Sequence, residues 1–481
     1  MTRRFTTRRR RTAAFTAVAA TALAGAVGVV APSATAAPTT SSLVLITPRA
    51  TSMYVFHGHA YGDLAVQLEN VGPAFELWSH RSGYIAPIRT SWHHGGTTTV
   101  LPRGTMKNFR GLTKFFDVTI QNAAGKILVR RMTTACLDGE GGVRVVPSGA
   151  AHSPYPMGCP DNPFTLGSVQ GIAQGWATTV PLLGYGPLKL TRGTYTMHVS
   201  IAQKFRDMFG IKDTDAEGTV TVHVRKNPRV YPVGKAHGPT SSRVRHRTGS
   251  PLATAPTGGP EPDLAALPAW GIDISKGGNY LQFSATVWNA GTSPLVVEGF
   301  REKHKPIMDA YQYFFDADGN QVGYLPAGHM EWDPRPTHHH WHFEDFARYR
   351  LLRVDQTKVQ RSHKEAFCLA NTDAIDYTIP DADWTPDDTD LQTSCGDLSS
   401  PAVSEVLAAG SGDTYEQFRG GQAFSLFRVP NGVYYISVEA NPNHVLTELS
   451  RDNDIALRKI RIGGTPGRRT VHVFPVGNIS A

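Results

Sequence analysis

YLQFSATVWNAGTSPLVVEGF, residues 280–300, reads as strand, turn and strand: Leu281, Phe283, Ala285 and Val287 recur at every second position, and Asn289-Ala290-Gly291 breaks the run before the apolar residues resume. YQYFFDADGNQVGYL (311–325) and AFSLFRVPNGVYYISVEA (423–440) repeat the form. Upstream, DLAVQLENVG (63–72), KFFDVTIQNAAGKILVRR (114–131), GTYTMHVSIA (193–202) and GTVTVHVRK (218–226) show the same period of two. Long helical patterns are scarce. The fold class expected is all-β, two β-sandwich-like domains, the second enlarged by long irregular loops between 363 and 422. Loops of that length in a compact domain are usually functional or disordered.

Between the two sets of strands, residues 226–262 are rich in Pro, Gly, Ser and Thr with no apolar period, which marks a linker. The expected organisation is an N-terminal domain over 38–226, a linker over 227–262, a second domain over 263–463 and a tail over 464–481. Ahead of them, Met1–Arg11 is basic and residues 13–30 are apolar and small. The run ends in Ser33-Ala34-Thr35-Ala36-Ala37, the form of a signal peptide over 1–36 cleaved after Ala36 or Ala37. Export by the Sec route or, given the arginine pairs, the twin-arginine route follows, with no membrane span left after signal removal.

The leader holds six arginines and no acidic residue, so the formal charge of +8 falls to +2 in the mature chain. That disfavours a nucleic-acid binder. Four cysteines in an exported chain suggest two disulfides. Pairing Cys136 with Cys159 and Cys368 with Cys395 keeps each bridge within one domain, among three formal connectivities.

Residues 331–352, EWDPRPTHHHWHFEDFARYRLL, place His338, His339, His340 and His342 within five positions. Imidazole suits copper, zinc, iron or nickel rather than calcium or magnesium. In an extended chain His338, His340 and His342 share a face and His339 points away. Neighbours in that trio sit about 7 Å apart, so two meet one ion easily while three require the strand to bend. A solvated histidine stretch is the alternative.

HHHWHFEDFARYRLL resembles the copper-binding segment of the lysyl oxidase family. The likeness extends over most of 263–463, through SATVWNAGTSPL (284–295), PNGVYYISVEANPN (430–443) and TELSRDNDIALRKIRI (447–462). The resemblance implies copper on His338, His340 and His342. In RSHKEAFCL (361–369), Lys364 stands where the family supplies the lysine of its lysyl tyrosylquinone cofactor. In GSGDTYEQF (410–418), Tyr415 stands where it supplies the tyrosine. Such a protein is a secreted amine oxidase, turning primary amines, either lysine side chains or small amines, into aldehydes with molecular oxygen and releasing hydrogen peroxide and ammonia. Asp413, close to Tyr415, is the candidate base; its plain alternative is a turn residue.

Calcium is the second metal that the resemblance implies, on Asp263, the Leu264 carbonyl, Glu448, Ser450, Asn453 and Asp454, all hard oxygen donors. Ser450 stands where an acidic residue is expected and Asp454 where an amide is, so a turn closed by polar contacts reads equally well. Animal members carry several cysteines around the site, whereas this domain has Cys368 and Cys395 alone. The rival reading is a secreted copper-binding or envelope-associated module in which the quinone never forms. His57, His59, His93 and His94 could suggest another metal site but lack a supporting acidic or cysteine partner at ligand spacing, and strand-end polar residues are the default reading. The acidic run Asp373 to Asp390 reads as solvated charge.

Overall fold

Period-two sequence becomes period-two burial wherever a strand has one wet face. In Gly193–Ile201, Tyr195, Met197, Val199 and Ile201 are buried and the residues between them are not. The computed structural model describes residues 43–62, 64–139, 141–183, 187–226, 259–301, 305–316, 318–334, 339–362, 366–393, 395–416 and 422–476. The leader, residues 227–258 of the linker, His338 and Lys364 lie outside the described residues.

The fold is all-β. The N-terminal half has two four-stranded sheets and one of six strands. They enclose a core that includes Leu68, Phe75, Phe115, Phe116, Val118, Ile120 and Val222. Gln203–Phe209, the α-helix among the described residues, buries Phe205 and Phe209 in that core and stops at Gly210, whose φ of 64° suits a residue without Cβ. Among the described residues, the C-terminal half has two five-stranded sheets and one of six strands, which runs Leu264–Ala266, Tyr280–Asn289, Ser411–Tyr415, Asp373–Ala374, with Trp270–Ile274 and Ala423–Ser425 also paired on Tyr280–Asn289. Its own core includes Phe283, Met330, Trp341, Phe343, Phe346, Tyr349, Phe367 and Ile436. Each such side chain removed from water contributes about 1.5–3 kcal/mol.

The two strands of residues 280–300 do not pair with each other as a hairpin. Tyr280–Asn289 and Leu295–Arg301 belong to different sheets, so the turn carries the chain from one sheet to another. Both edges of Tyr280–Asn289 are already taken, by Leu264–Ala266 and Trp270–Ile274 on one side and by Ser411–Tyr415 and Ala423–Ser425 on the other. Asn289 holds the crossing. Its amide donates to the Ser293 and Leu407 carbonyls, and its oxygen accepts from the Asp263 and Gly291 amides. Within 363–422 the structure also adds strands to a region expected as loops: all of Ala402–Leu407 is buried, and Ser411–Tyr415 follows it. Part of the expected tail is a strand as well, Arg468–Val473 pairing back on Ile455–Thr465.

Disulfides join Cys136 to Cys159 and Cys368 to Cys395. The described residues of both halves fall within one compact unit. Two apolar clusters are shared between them, one of Phe164 with Leu267, Trp288 and Ile375, the other of Tyr155 and Val169 with Tyr377. Gly167 forms a parallel bridge with Asp376, and a Cβ there would collide with the Asp376 and Thr378 side chains, so only glycine fits this joint without a shift.

Candidate metal centre and its surroundings

The histidine strand, His340–Phe343, pairs antiparallel with Gln321–Asp333. Alternation sends Trp341 and Phe343, both fully buried, into the core. Trp341 is fixed there by its indole N–H on the Asp397 carbonyl, 2.8 Å, and by the Arg301 guanidinium over its ring. His340 and His342 fall on the other side, their Nε2 atoms 2.9 Å apart and their rings nearly perpendicular. His342 is buried, and its Nδ1 lies 3.5 Å from the carboxylate of Asp333, itself 7% exposed. A carboxylate behind one imidazole nitrogen while the other faces a partner imidazole is the arrangement that orients a metal-binding histidine. The surroundings are acidic: burial, and then the neighbouring Glu331, push Glu344 up to about 7.

His339 does not join this pair. It has a φ of 51°, stacks on Trp332 and places its Nε2 3.0 Å from the Pro334 carbonyl. His338 lies outside the described residues, and among those described no three His, Cys, Asp or Glu side chains form a metal-holding group. Two convergent imidazoles with a buried carboxylate behind one are nevertheless a donor set that suits copper.

Phe367 ties the histidine strand to Tyr415. Its backbone exchanges two hydrogen bonds with Phe343, of 2.7 and 2.9 Å, and its ring meets the Tyr415 ring edge-on at 4.7 Å. Tyr415 ends the strand Ser411–Tyr415, opposite Ala285, and is half-buried. Asp413, two residues earlier and 3% exposed, shares its face. Behind them sits Tyr349, 1% exposed, whose phenol is held well above its ordinary value by burial, then by Asp413 and Tyr415. Lys364 lies outside the described residues, three positions before Phe367.

The six oxygen-bearing residues of the expected calcium set form one polar corner. Asp263 accepts from the Ser450 amide at 2.9 Å and the Asn453 side chain at 2.8 Å, and Glu448 accepts from the Leu264 amide at 3.2 Å. Buried oxygens of Asn453 and Asp454 have no hydrogen-bond partner. Burial, then Glu448 and Asp263, push Asp454 up to about 7. An excess of buried oxygens short of donors is what a hard cation would relieve.

The acidic run is divided. Asp376 is buried at the joint between the halves, while Asp373, Asp387 and Asp388 line a cleft of about 430 Å³ with Tyr155, Tyr377 and Trp384. Sequence reading missed Asp333, Tyr349 and Phe367. Asp333 had a faint signal, an acid a few residues before a histidine run, but its register opposite His340 is a property of the sheet.

Residues 317–471 match the family model for lysyl oxidase. Lysyl oxidase homolog 2 of chicken (Gallus gallus) is 28% identical over 138 residues, covering 28% of this chain and 16% of the relative. The cattle (Bos taurus) protein is 29% identical over 140 residues and the human (Homo sapiens) protein 28% over 140, with the same coverage of each chain, 28% and 16%. The matched part is thus about one sixth of the length of these relatives.

Proposed function

The C-terminal part of this chain belongs to the lysyl oxidase family, and from that premise we propose that the protein is an exported copper-dependent amine oxidase. A primary amine, oxygen and water become an aldehyde, ammonia and hydrogen peroxide. The observation that carries the reading is the Phe367 link, a backbone pairing with the histidine strand and a ring contact with Tyr415.

His340 and His342 would hold copper with His338, and Asp333 would fix the His342 ring and raise its basicity. When formed, the Lys364–Tyr415 lysyl tyrosylquinone supplies an electrophilic carbonyl for the amine, re-oxidised by oxygen. Lys364 stands three positions before Phe367 in the sequence, and the Phe367 ring touches Tyr415. Asp413 would take the substrate's α-proton on a carboxylate oxygen, from a buried position on the face Tyr415 occupies. Trp341, Phe343, Phe346 and Phe367 form the apolar backing that excludes water from that face. The oxygen corner at Asp263, Glu448, Ser450, Asn453 and Asp454 would take calcium and pin the first strand of the domain to its last.

Peptide mass spectrometry on copper-reconstituted protein tests this reading. A crosslink between the Lys364 and Tyr415 peptides, with reaction towards phenylhydrazine, is the expected result. Copper uptake without crosslink or amine turnover would replace the oxidase with a copper-binding module.

A further inference from the structure

We propose that the N-terminal half is a brace for the strand that carries Tyr415, with Asn162 as its positioning residue. The inference rests on the oxidase reading for its catalytic consequence, though not for its structural part. The family match begins at residue 317, so the brace residues Asn162 and Thr286 lie outside it.

Asn162 is 5% exposed and is used on both ends of its amide. Its oxygen accepts from the Phe164 amide at 3.0 Å, which shapes its own loop. Its nitrogen crosses to the other half and donates to the Thr286 hydroxyl at 3.1 Å. Thr286 is fully buried, and its oxygen also accepts from the Trp270 indole at 3.2 Å. With both acceptor positions of that hydroxyl taken, its proton goes to the Thr414 hydroxyl, 2.6 Å away. The Thr414 amide in turn donates to the Thr372 hydroxyl at 2.7 Å, and Thr372 lies 3.1 Å from the Asp373 carboxylate. A polar circuit therefore runs from the N-terminal half through Thr286 to the residue before Tyr415.

The circuit touches the back of the strand. Thr414 and Tyr415 point to opposite faces, so Thr414 meets the brace while Tyr415 meets Phe367. Register along this strand decides which side chains face Phe367, and a slip of one residue would exchange the faces. Three further contacts hold the adjoining segment: the Leu166 amide on the Ile375 carbonyl at 2.7 Å, the Thr165 hydroxyl on the Ala374 carbonyl at 3.0 Å, and the Tyr377 amide on the Gly167 carbonyl at 3.2 Å. Asp373–Ala374 pairs directly with Ser411 and Gly412, so these contacts reach the Tyr415 strand through one ladder. Buried circuits of this kind hold one geometry because every broken member leaves another polar group unpaired.

The test uses the full copper-loaded chain and three variants. Thr286→Val removes the hub hydroxyl and keeps its shape. Asn162→Asp keeps the oxygen that Phe164 uses, loses the crossing N–H group and sets a negative charge beside Asp373. Thr286→Ser restores the hydroxyl. The first two are expected to slow quinone formation and lower kcat by roughly 10- to 100-fold, the scale of a small misplacement of reacting groups. KM for a small amine and copper stoichiometry stay as in wild type, and Thr286→Ser recovers the rate. Hydrogen exchange at Gly412–Tyr415 in the copper-free protein rises in the first two variants. Wild-type quinone formation together with wild-type exchange in both would overturn the brace. If the wild-type chain itself forms no quinone, the oxidase reading fails. Exchange at Gly412–Tyr415 then decides the brace alone, faster exchange upholding it and unchanged exchange refuting it.

Discussion

Among the described residues, the buried acidic, basic and histidine side chains of the N-terminal half are Asp138 and Arg206, whereas the C-terminal half buries Glu298, Asp333, His342, Asp376, Glu405, Asp413 and Asp454. Both halves are built from the same alternating strands and have apolar cores of similar make-up. Removing a charge from water is costly unless it is paired, so a fold gains nothing in stability from seven such groups. Their concentration in one half points to chemistry there, and to a scaffold role for the other. Arg206 fits the contrast: it binds the Ile201 carbonyl, Asp213 and Glu217 and closes a helix onto its own sheet.

The sharpest way to break this comparison is to alter one side chain in each proposed role. Tyr415→Phe deletes a phenol oxygen on a half-buried residue. It is expected to abolish quinone absorbance and amine turnover, with little change in melting temperature. Turnover surviving in that variant would sink the assignment of Tyr415. Phe116→Ala should do the reverse. The N-terminal core would lose about 3–5 kcal/mol, read by denaturant unfolding, and because the halves share two apolar clusters they should unfold in one transition. Two separated transitions would show that the halves are independent.

Asp333→Asn is a smaller change. Copper affinity should fall by about 10- to 100-fold, the usual cost of altering the partner of a metal-bound histidine, as measured by competition with a chelator. An unchanged affinity would remove Asp333 from the site.

The smallest effect belongs to Asp138. Burial raises its carboxyl well above the ordinary value, against one hydrogen bond from the Gly171 amide. A carboxyl raised on folding contributes stability that is present below its unfolded value, near 3.9, and is lost as pH rises through the folded one. Asp138→Asn keeps an acceptor for Gly171 and cannot ionise. The variant should melt a few degrees higher than wild type at pH 8, with the gap closing towards pH 4. A gap that is constant with pH would mean the effect is packing alone.

Much of this was legible in the chain. Period two with Gly, Asn and Pro breaks announces β structure, because the pleat repeats every two residues whatever the strand's partner. By the same rule His340 and His342 share a side while Trp341 and Phe343 share the other. The spacing of 280–300 marks two strands but not their parting into different sheets. Local spacing carries no record that one edge of Tyr280–Asn289 is filled by strands just upstream and the other by strands far downstream, as with Tyr415 opposite Ala285. The strand Ala402–Leu407 was hidden for a related reason: buried on both faces, it shows no alternation to detect.

The sequence by itself determined the all-β class, the alternation of side chains along each strand and the placing of histidines, lysine and tyrosine in the order a known family uses. These are properties of short stretches, set by backbone geometry and residue chemistry. The tertiary structure alone decided that Asp333 stands behind His342, that Phe367 lies between the histidine strand and Tyr415, and that Asn162 reaches Thr414 through Thr286. Each of those joins residues far apart in the chain or opposite in a ladder, and such neighbours exist only once the sheets have closed on their cores.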